Sequence, residues 1–131
     1  MWLLLLLSSA LALGELGARL FPAPDGFAER MRNYGAAALE PDGELGHRVR
    51  LSQSVTIGDV VYSSDERGTR PTGVSDAGLP QVLVLGDSVS FGWGVREESA
   101  WPAVLEQQLA ARGTHVDVTN AAVVAYGAHQ Y

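Results

Sequence analysis

The stretch QVLVLGDSVSFGWGV, residues 81–95, decides the fold class. Residues 81–85 are mostly apolar and show no regular alternation, which is typical of a strand buried on both faces in a parallel sheet covered by helices. Gly86, Asp87 and Ser88 then end the strand at a small, polar turn. We therefore expect residues 81–85 to form an inner strand that presents Ser88 at its carboxyl end.

A helix is predicted over residues 99–113, with Ser99 as its N-cap and Pro102 in its first turn. The run HVDVT, residues 115–119, predicts the next strand. The apolar residues of the helix fall on one face, and we expect that face to be buried: Trp101, Val104, Leu105 and Leu109.

A strand, a helix and a strand joined over this length predict a βαβ unit with parallel strands, and hence an α/β fold. Ligands of open α/β sheets bind beyond the carboxyl ends of the strands. We therefore expect Ser88 and the loop over residues 120–127 to lie at the same edge of the sheet, where a reactive site would be built.

The first 21 residues begin with MWLLLLLSSALAL, an uncharged run too short by itself to span a bilayer, which takes about 20 residues. A membrane anchor extending to residue 21 would pair Glu15 with Arg19 and let the arginine reach the headgroups. A cleaved signal peptide is the second interpretation, because residues 10–12 resemble a cleavage site, although no basic residue precedes the apolar run. A buried core helix is the third. Under the first two, the bulk of the chain lies outside the cytoplasm, at the cell membrane or secreted or periplasmic.

Between this segment and residue 81 we predict two further regions. Residues 22–46 are rich in Pro, Gly, Ala and acids, which is typical of a stalk or linker holding at most a short turn of helix. Residues 47–80 form a β lead-in, with a hairpin over residues 47–62 that turns near Gly58 and a loop up to the main domain, residues 81–131.

Composition excludes several classes of function. The 131 residues carry a formal net charge of −6, and the nine basic residues are scattered arginines, which argues against nucleic acid as a partner. Without cysteine there are no disulfides and no cysteine-based zinc sites. The glycines form neither a dinucleotide-binding nor a Walker pattern, and the acidic pairs lack the spacing of metal ligands. We expect no cofactor and no metal.

Three quoted segments together resemble the first part of the SGNH/GDSL hydrolase family: VLVLGDSVSFGWGV, SAWPAVLEQQLAARG and VDVTNAAVVAYGAHQY. Upstream, ELGHRVR…VVYSSDERGTRP resembles the lead-in of membrane-tethered members, so the likeness covers about residues 40–131. The resemblance implies a doubly wound, flavodoxin-like parallel sheet, of which this chain would hold the start.

The same resemblance implies roles for individual residues. Ser88 would be the nucleophile of an acyl-enzyme mechanism, and its backbone N–H would donate to the oxyanion. Asp87, Gly86 and Asn120 would support the site, with Asp87 holding the turn rather than acting as base. Ala125 stands where the family has a glycine whose N–H is the second oxyanion donor, and an alanine there is strained if the position needs a positive φ.

The family's later blocks, which supply an asparagine, the general base and its orienting acid, have no counterpart here. His47 lies in the lead-in, His115 opens a strand at its far end, and His129 is interpreted as a solvent-exposed loop histidine. A serine without a base is a poor nucleophile. The chain is therefore predicted to be the N-terminal part of a longer hydrolase and, alone, inactive toward simple esters.

The function predicted from the resemblance is that of an exported, membrane-tethered serine ester hydrolase acting on an acyl ester or an acetylated carbohydrate. One alternative is an O-acetyltransferase or deacetylase of envelope polysaccharide, in which a sugar hydroxyl rather than water takes the acyl group, or an acetyl group is removed. The other is a non-catalytic, membrane-anchored binding protein.

Overall fold

The structure is a computed structural model and describes residues 26–73 and 76–131. The regular elements in these ranges are α1 (Phe27–Ala38), β1 (Leu39–Asp42), β2 (Gly46–Val49), β3 (Gln53–Ile57), β4 (Val60–Ser64), β5 (Gln81–Val84), α2 (Ser88–Phe91), α3 (Trp101–Ala111) and β6 (Asp117–Asn120), with single 3₁₀ turns at Glu97–Ser99 and Ala128–Gln130. None of the helices in this part of the chain is long and apolar enough to cross a membrane. The predicted anchor or signal, residues 1–21, lies outside the described residues.

β5 and β6 pair in parallel, as the strand–helix–strand pattern predicts. Their register runs from Gln81 opposite Asp117 to Val84 opposite Asn120. The second strand begins at Asp117 rather than at the predicted His115. The fold is therefore mixed α/β, and in the described residues each sheet has two strands.

The prediction that residues 81–85 are buried on both faces is wrong. Val84 is 6% exposed, but Leu83 and Leu85, on the opposite face, are 62% and 50% exposed. Side chains of a strand point alternately to its two faces, and only one face of this strand is covered within the described residues.

The helix after the serine turn exists, but its N-cap and buried face differ from the prediction. The N-cap is Ala100, not Ser99, and Pro102 lies in the first turn as expected. Trp101 is 45% exposed, so its assignment to the core is wrong. The buried residues of the helix are instead Pro102, Ala103 and Glu106.

The buried Glu106 explains this rotation of the helix. Its Oε2 accepts hydrogen bonds from the Val118 N–H at 3.1 Å and from Thr72 Oγ1 at 2.9 Å. A carboxylate is buried only where hydrogen bonds replace its water, and these partners lie on β6 and on the segment beside it. The polar contact therefore turns the Glu106 side of α3 toward the sheet.

Before β5, the prediction that residues 22–46 hold at most a short turn of helix is wrong. α1 has 12 residues, and the chain continues into β1, which pairs antiparallel with β2 from Leu39 opposite Val49 to Asp42 opposite Gly46. The predicted hairpin is confirmed for β3 and β4, which turn at Gly58 and pair from Gln53 opposite Ser64 to Ile57 opposite Val60. Its first strand starts at Gln53, because residues 46–49 pair with β1 instead.

An aromatic cluster in the core joins α1 and β4 to the segment after Ser88. Tyr34 lies edge-on to Trp93, with ring centroids 4.9 Å apart, and Tyr62 stacks on Trp93 at 5.1 Å. Phe91 is 2% exposed and lies 5.7 Å from the Tyr34 ring. Aromatic pairs in such arrangements add to the stability that burial already provides, so Phe91 and Trp93 contribute to the core.

Candidate active site

Ser88 lies four residues after the end of β5 and opens α2. Asp87 is the N-cap, and its Oδ1 accepts a hydrogen bond from the Val89 N–H at 2.9 Å. Asp87 thus holds the turn through a local bond, the standard use of an aspartate at a helix start. Ser88 as a whole residue is partly exposed.

Gly86 allows the chain to turn sharply between β5 and α2. A Cβ on this residue would lie 2.6 Å from the Ser90 Cβ, closer than carbon atoms approach. Its carbonyl accepts a hydrogen bond from the Val123 N–H at 2.9 Å. The glycine therefore brings the serine turn against the segment that follows β6.

The two segments beyond the strands run side by side. The Ala121 N–H donates to the Val84 carbonyl at 2.9 Å, and the Val123–Gly86 bond continues the pairing past the end of the strands. The structure therefore places Ser88 and the start of the loop over residues 120–127 at the same edge of the sheet, as parallel strands require.

Asn120 ties α2 to this loop. It is 1% exposed, and its Nδ2 donates to the Ser90 carbonyl at 3.1 Å. Its Oδ1 accepts from the Ala122 N–H at 3.3 Å. Both ends of the amide are therefore used to hold backbone next to the serine, and the side chain is not free to contact a substrate.

Ala125 adopts a φ of 69°, in the left-handed region that glycine favours. The turn around it is held from β2: His47 Nε2 lies 3.0 Å from the Val124 carbonyl, and Tyr126 Oη donates to the His47 carbonyl at 2.8 Å. The His47 ring also lies edge-on to Tyr126, with centroids 5.1 Å apart. An alanine in this conformation carries about 1–2 kcal/mol of strain, which these contacts offset.

Within the described residues, no hydrogen bond uses the backbone N–H of Ser88 or of Ala125. An N–H group that is not satisfied by the protein can donate to a ligand oxygen. The two N–H groups that the resemblance assigns to an oxyanion thus have no partner among the described residues, and their joint action on one oxygen stays a prediction.

The described hydrogen bonds do not join a histidine to the Ser88 hydroxyl. His47 is engaged with the loop around Val124, and His115 and His129 are exposed. Sequence reasoning placed His47 in the lead-in without a role. His47 lies on β2, which pairs with β1, and it contacts the turn around Ala125 through Val124, 77 residues further along the chain. No local sequence pattern predicts such a contact.

Arg70 is the residue of this region that sequence reasoning missed. It is 1% exposed, and its side chain donates to backbone carbonyls of the segment that follows Ser88: Phe91, Gly92 and Val95. Burial lowers its pKa below the ordinary arginine value, and the nearby Glu97 opposes that effect. In the sequence it is one of nine scattered arginines, in a loop between Thr69 and Pro71.

Comparison with known proteins adds no relative: no protein-family model matches the chain, and no curated protein matches it significantly. In the part of the chain that the structure describes, no three histidine or acidic side chains are grouped so that they could hold a metal ion.

Proposed function

We propose that this chain carries the nucleophile and the oxyanion donors of a serine ester hydrolase of the SGNH/GDSL type, in a doubly wound parallel-sheet fold. The observation that carries the proposal is the pairing of two features at one sheet edge. Ser88 is partly exposed four residues after the end of β5, and the loop beside it holds Ala125 at a φ of 69°. A backbone held in the left-handed region at some energetic cost is typical of functional sites.

The chemistry that this arrangement supports is acyl transfer. The Ser88 hydroxyl would attack the carbonyl carbon of an ester, the alcohol would leave, and the acyl group would stay on the serine oxygen until water removed it. The N–H groups of Ser88 and Ala125 would bind the oxyanion of the tetrahedral intermediate. The substrate class is an acyl ester or an acetylated carbohydrate, outside the cytoplasm if residues 1–21 act as an anchor or signal.

A non-catalytic binding protein is the second candidate, and one observation favours it. The hydrogen bonds of the described residues give the Ser88 hydroxyl no histidine partner, and a serine hydroxyl without a base stays protonated at neutral pH. The two candidates differ in whether Ser88 reacts when a base is provided.

An alkyl fluorophosphonate probe, offered with imidazole as an external base, tests the proposal. Two oxyanion donors should favour phosphonylation of Ser88 over other serines by about 100-fold or more, since one such donor is worth about 10²–10³ in rate. Peptide mapping by mass spectrometry locates the adduct. Ser88→Ala should abolish selective labelling, whereas Ser99→Ala, at an exposed serine, should leave it unchanged. Labelling spread evenly over the serines would favour the binding protein.

A further inference from the structure

Arg70 supports the backbone that follows the candidate nucleophile. Its Nη1 donates to the carbonyls of Phe91 and Gly92, both at 2.7 Å, and its Nη2 donates to the carbonyl of Val95 at 2.8 Å. Hydrogen bonds from a charged donor are roughly twice as strong as neutral ones. A single side chain thus fixes three carbonyls between the end of α2 and the start of the next turn.

The environment of Arg70 makes burial of its charge energetically costly unless the hydrogen bonds are kept. The salt bridges of the described residues join Arg48 to Glu40 and Arg67 to Asp65, and neither includes Arg70. Its guanidinium lies instead 5.2 Å from the Tyr62 ring centroid and 5.0 Å from that of Phe91. Burial of a charge is costly unless hydrogen bonds or aromatic faces replace its water, so the side chain is stable here only while the carbonyls stay in place.

Two links carry the effect of Arg70 to the site. The Gly92 N–H donates to the Ser88 carbonyl at 3.1 Å, and the Gly92 carbonyl accepts from Arg70. Gly92 therefore links Arg70 to the backbone of the candidate nucleophile. On the other side, the Arg70 N–H donates to the Asn120 carbonyl at 2.9 Å, at the end of β6. Arg70 therefore connects the serine turn with the strand that leads into the Ala125 loop, without touching the hydroxyl.

We propose that Arg70 is a positioning residue, which keeps the Ser88 backbone in the geometry that acyl transfer requires by holding the carbonyls of residues 91, 92 and 95. The inference rests on the proposed function for its catalytic part. A lysine keeps the charge and the long stem, but it presents a point charge instead of a planar fork. Arg70→Lys therefore separates positioning from the mere presence of a cation.

Hydrogen exchange of backbone amides tests the structural part of the proposal. In folded Arg70→Lys, the amides of Gly92 and Trp93, which donate to the Ser88 carbonyl, should exchange about tenfold faster or more, because local opening becomes easier. Amides of β3 and β4 should keep their rates. Arg67→Gln is the matched control, since Arg67 is exposed and paired with Asp65, and it should behave like the unchanged chain. Equal acceleration in all elements, or none near Ser88, overturns the proposal.

Imidazole-assisted fluorophosphonate labelling tests the catalytic part. In Arg70→Lys, the maximal labelling rate at Ser88 should fall about tenfold or more, while the probe concentration for half-maximal rate stays the same. Faster exchange with an unchanged labelling rate overturns the role in acyl transfer. If Ser88 is not labelled even in the unchanged chain, the proposed function fails, and the exchange result still decides whether Arg70 positions the turn.

Discussion

Among single residues, Ala125 combines backbone strain with a candidate role in the site. With its φ of 69°, Ala125→Gly should relieve about 1–2 kcal/mol of strain and lose about 0.4–1 kcal/mol through the greater freedom of the unfolded chain. We expect a net gain between about 0 and about 1.6 kcal/mol in the free energy of unfolding, measured by urea titration.

Ala128→Gly is the control for this prediction, since Ala128 is exposed, begins the 3₁₀ turn that follows the loop and has no positive φ. It should destabilise the protein slightly, because only the entropy of the unfolded chain changes. Ala125→Gly should also keep selective labelling of Ser88, because the oxyanion donor is a backbone N–H and survives the change. A loss of stability in Ala125→Gly would mean that the alanine side chain makes contacts worth more than the strain.

At the scale of elements, the turn from Asp65 to Thr69 precedes Arg70 and places it in the core. Asp65 Oδ1 accepts from the N–H groups of Arg67 and Thr69 at 2.9 and 2.8 Å, and its Oδ2 accepts from Thr69 Oγ1 at 2.8 Å. Burial acts to raise the pKa of Asp65, but the hydrogen bonds from Thr69 and Arg67 together outweigh it and hold this pKa below its ordinary value.

A carboxyl whose pKa is lower in the folded than in the unfolded state makes the free energy of unfolding depend on pH. The contribution is complete above the unfolded pKa, about 3.9, and is lost as the pH falls through the lower folded pKa. Asp65→Asn should therefore lower the free energy of unfolding at pH 7 by about 1 kcal/mol, and should reduce the loss of stability below about pH 4. Urea titrations from pH 3 to 7 measure both, with the exposed Glu66→Gln as control. Parallel pH profiles for Asp65→Asn and the unchanged chain would contradict this.

The same elements show where sequence patterns suffice and where they do not. The apolar run before Gly86 and the helical period after Ser99 predict the parallel pair, because both signals are local. The buried face of α3 is not predictable in this way, since it depends on Glu106 meeting Thr72, 34 residues away. The contacts of Arg70 and His47 are not predictable for the same reason. Each side chain binds backbone carbonyls of a distant segment, and an isolated arginine or histidine carries no periodic signal in the sequence.

Across the whole molecule, the aromatic cluster and Arg70 make the lead-in part of the environment of the site. Tyr62 on β4 stacks on Trp93, accepts a hydrogen bond from the Gly94 N–H at 3.0 Å through its hydroxyl and lies under the Arg70 guanidinium. The turn after Ser88 is thus packed from outside the strand–helix–strand unit. The site depends on residues over most of the described chain, although its candidate nucleophile and oxyanion donors come from the last 51 residues, 81–131.

The uncovered side of β5 and the residue after it expose apolar side chains to solvent. Leu83 and Leu85 are 62% and 50% exposed on one side of the chain, and Val89 in α2 is 73% exposed. Exposed apolar side chains at or next to a strand promote association between copies. Leu83→Lys with Leu85→Lys should therefore reduce concentration-dependent association and binding of a hydrophobic dye. Because both side chains bury little, we expect the free energy of unfolding to change by less than about 1 kcal/mol in total. Sedimentation velocity at several concentrations measures the first effect and urea titration the second. A large loss of stability would mean that these leucines are covered in the folded protein, contrary to their exposure in the structure.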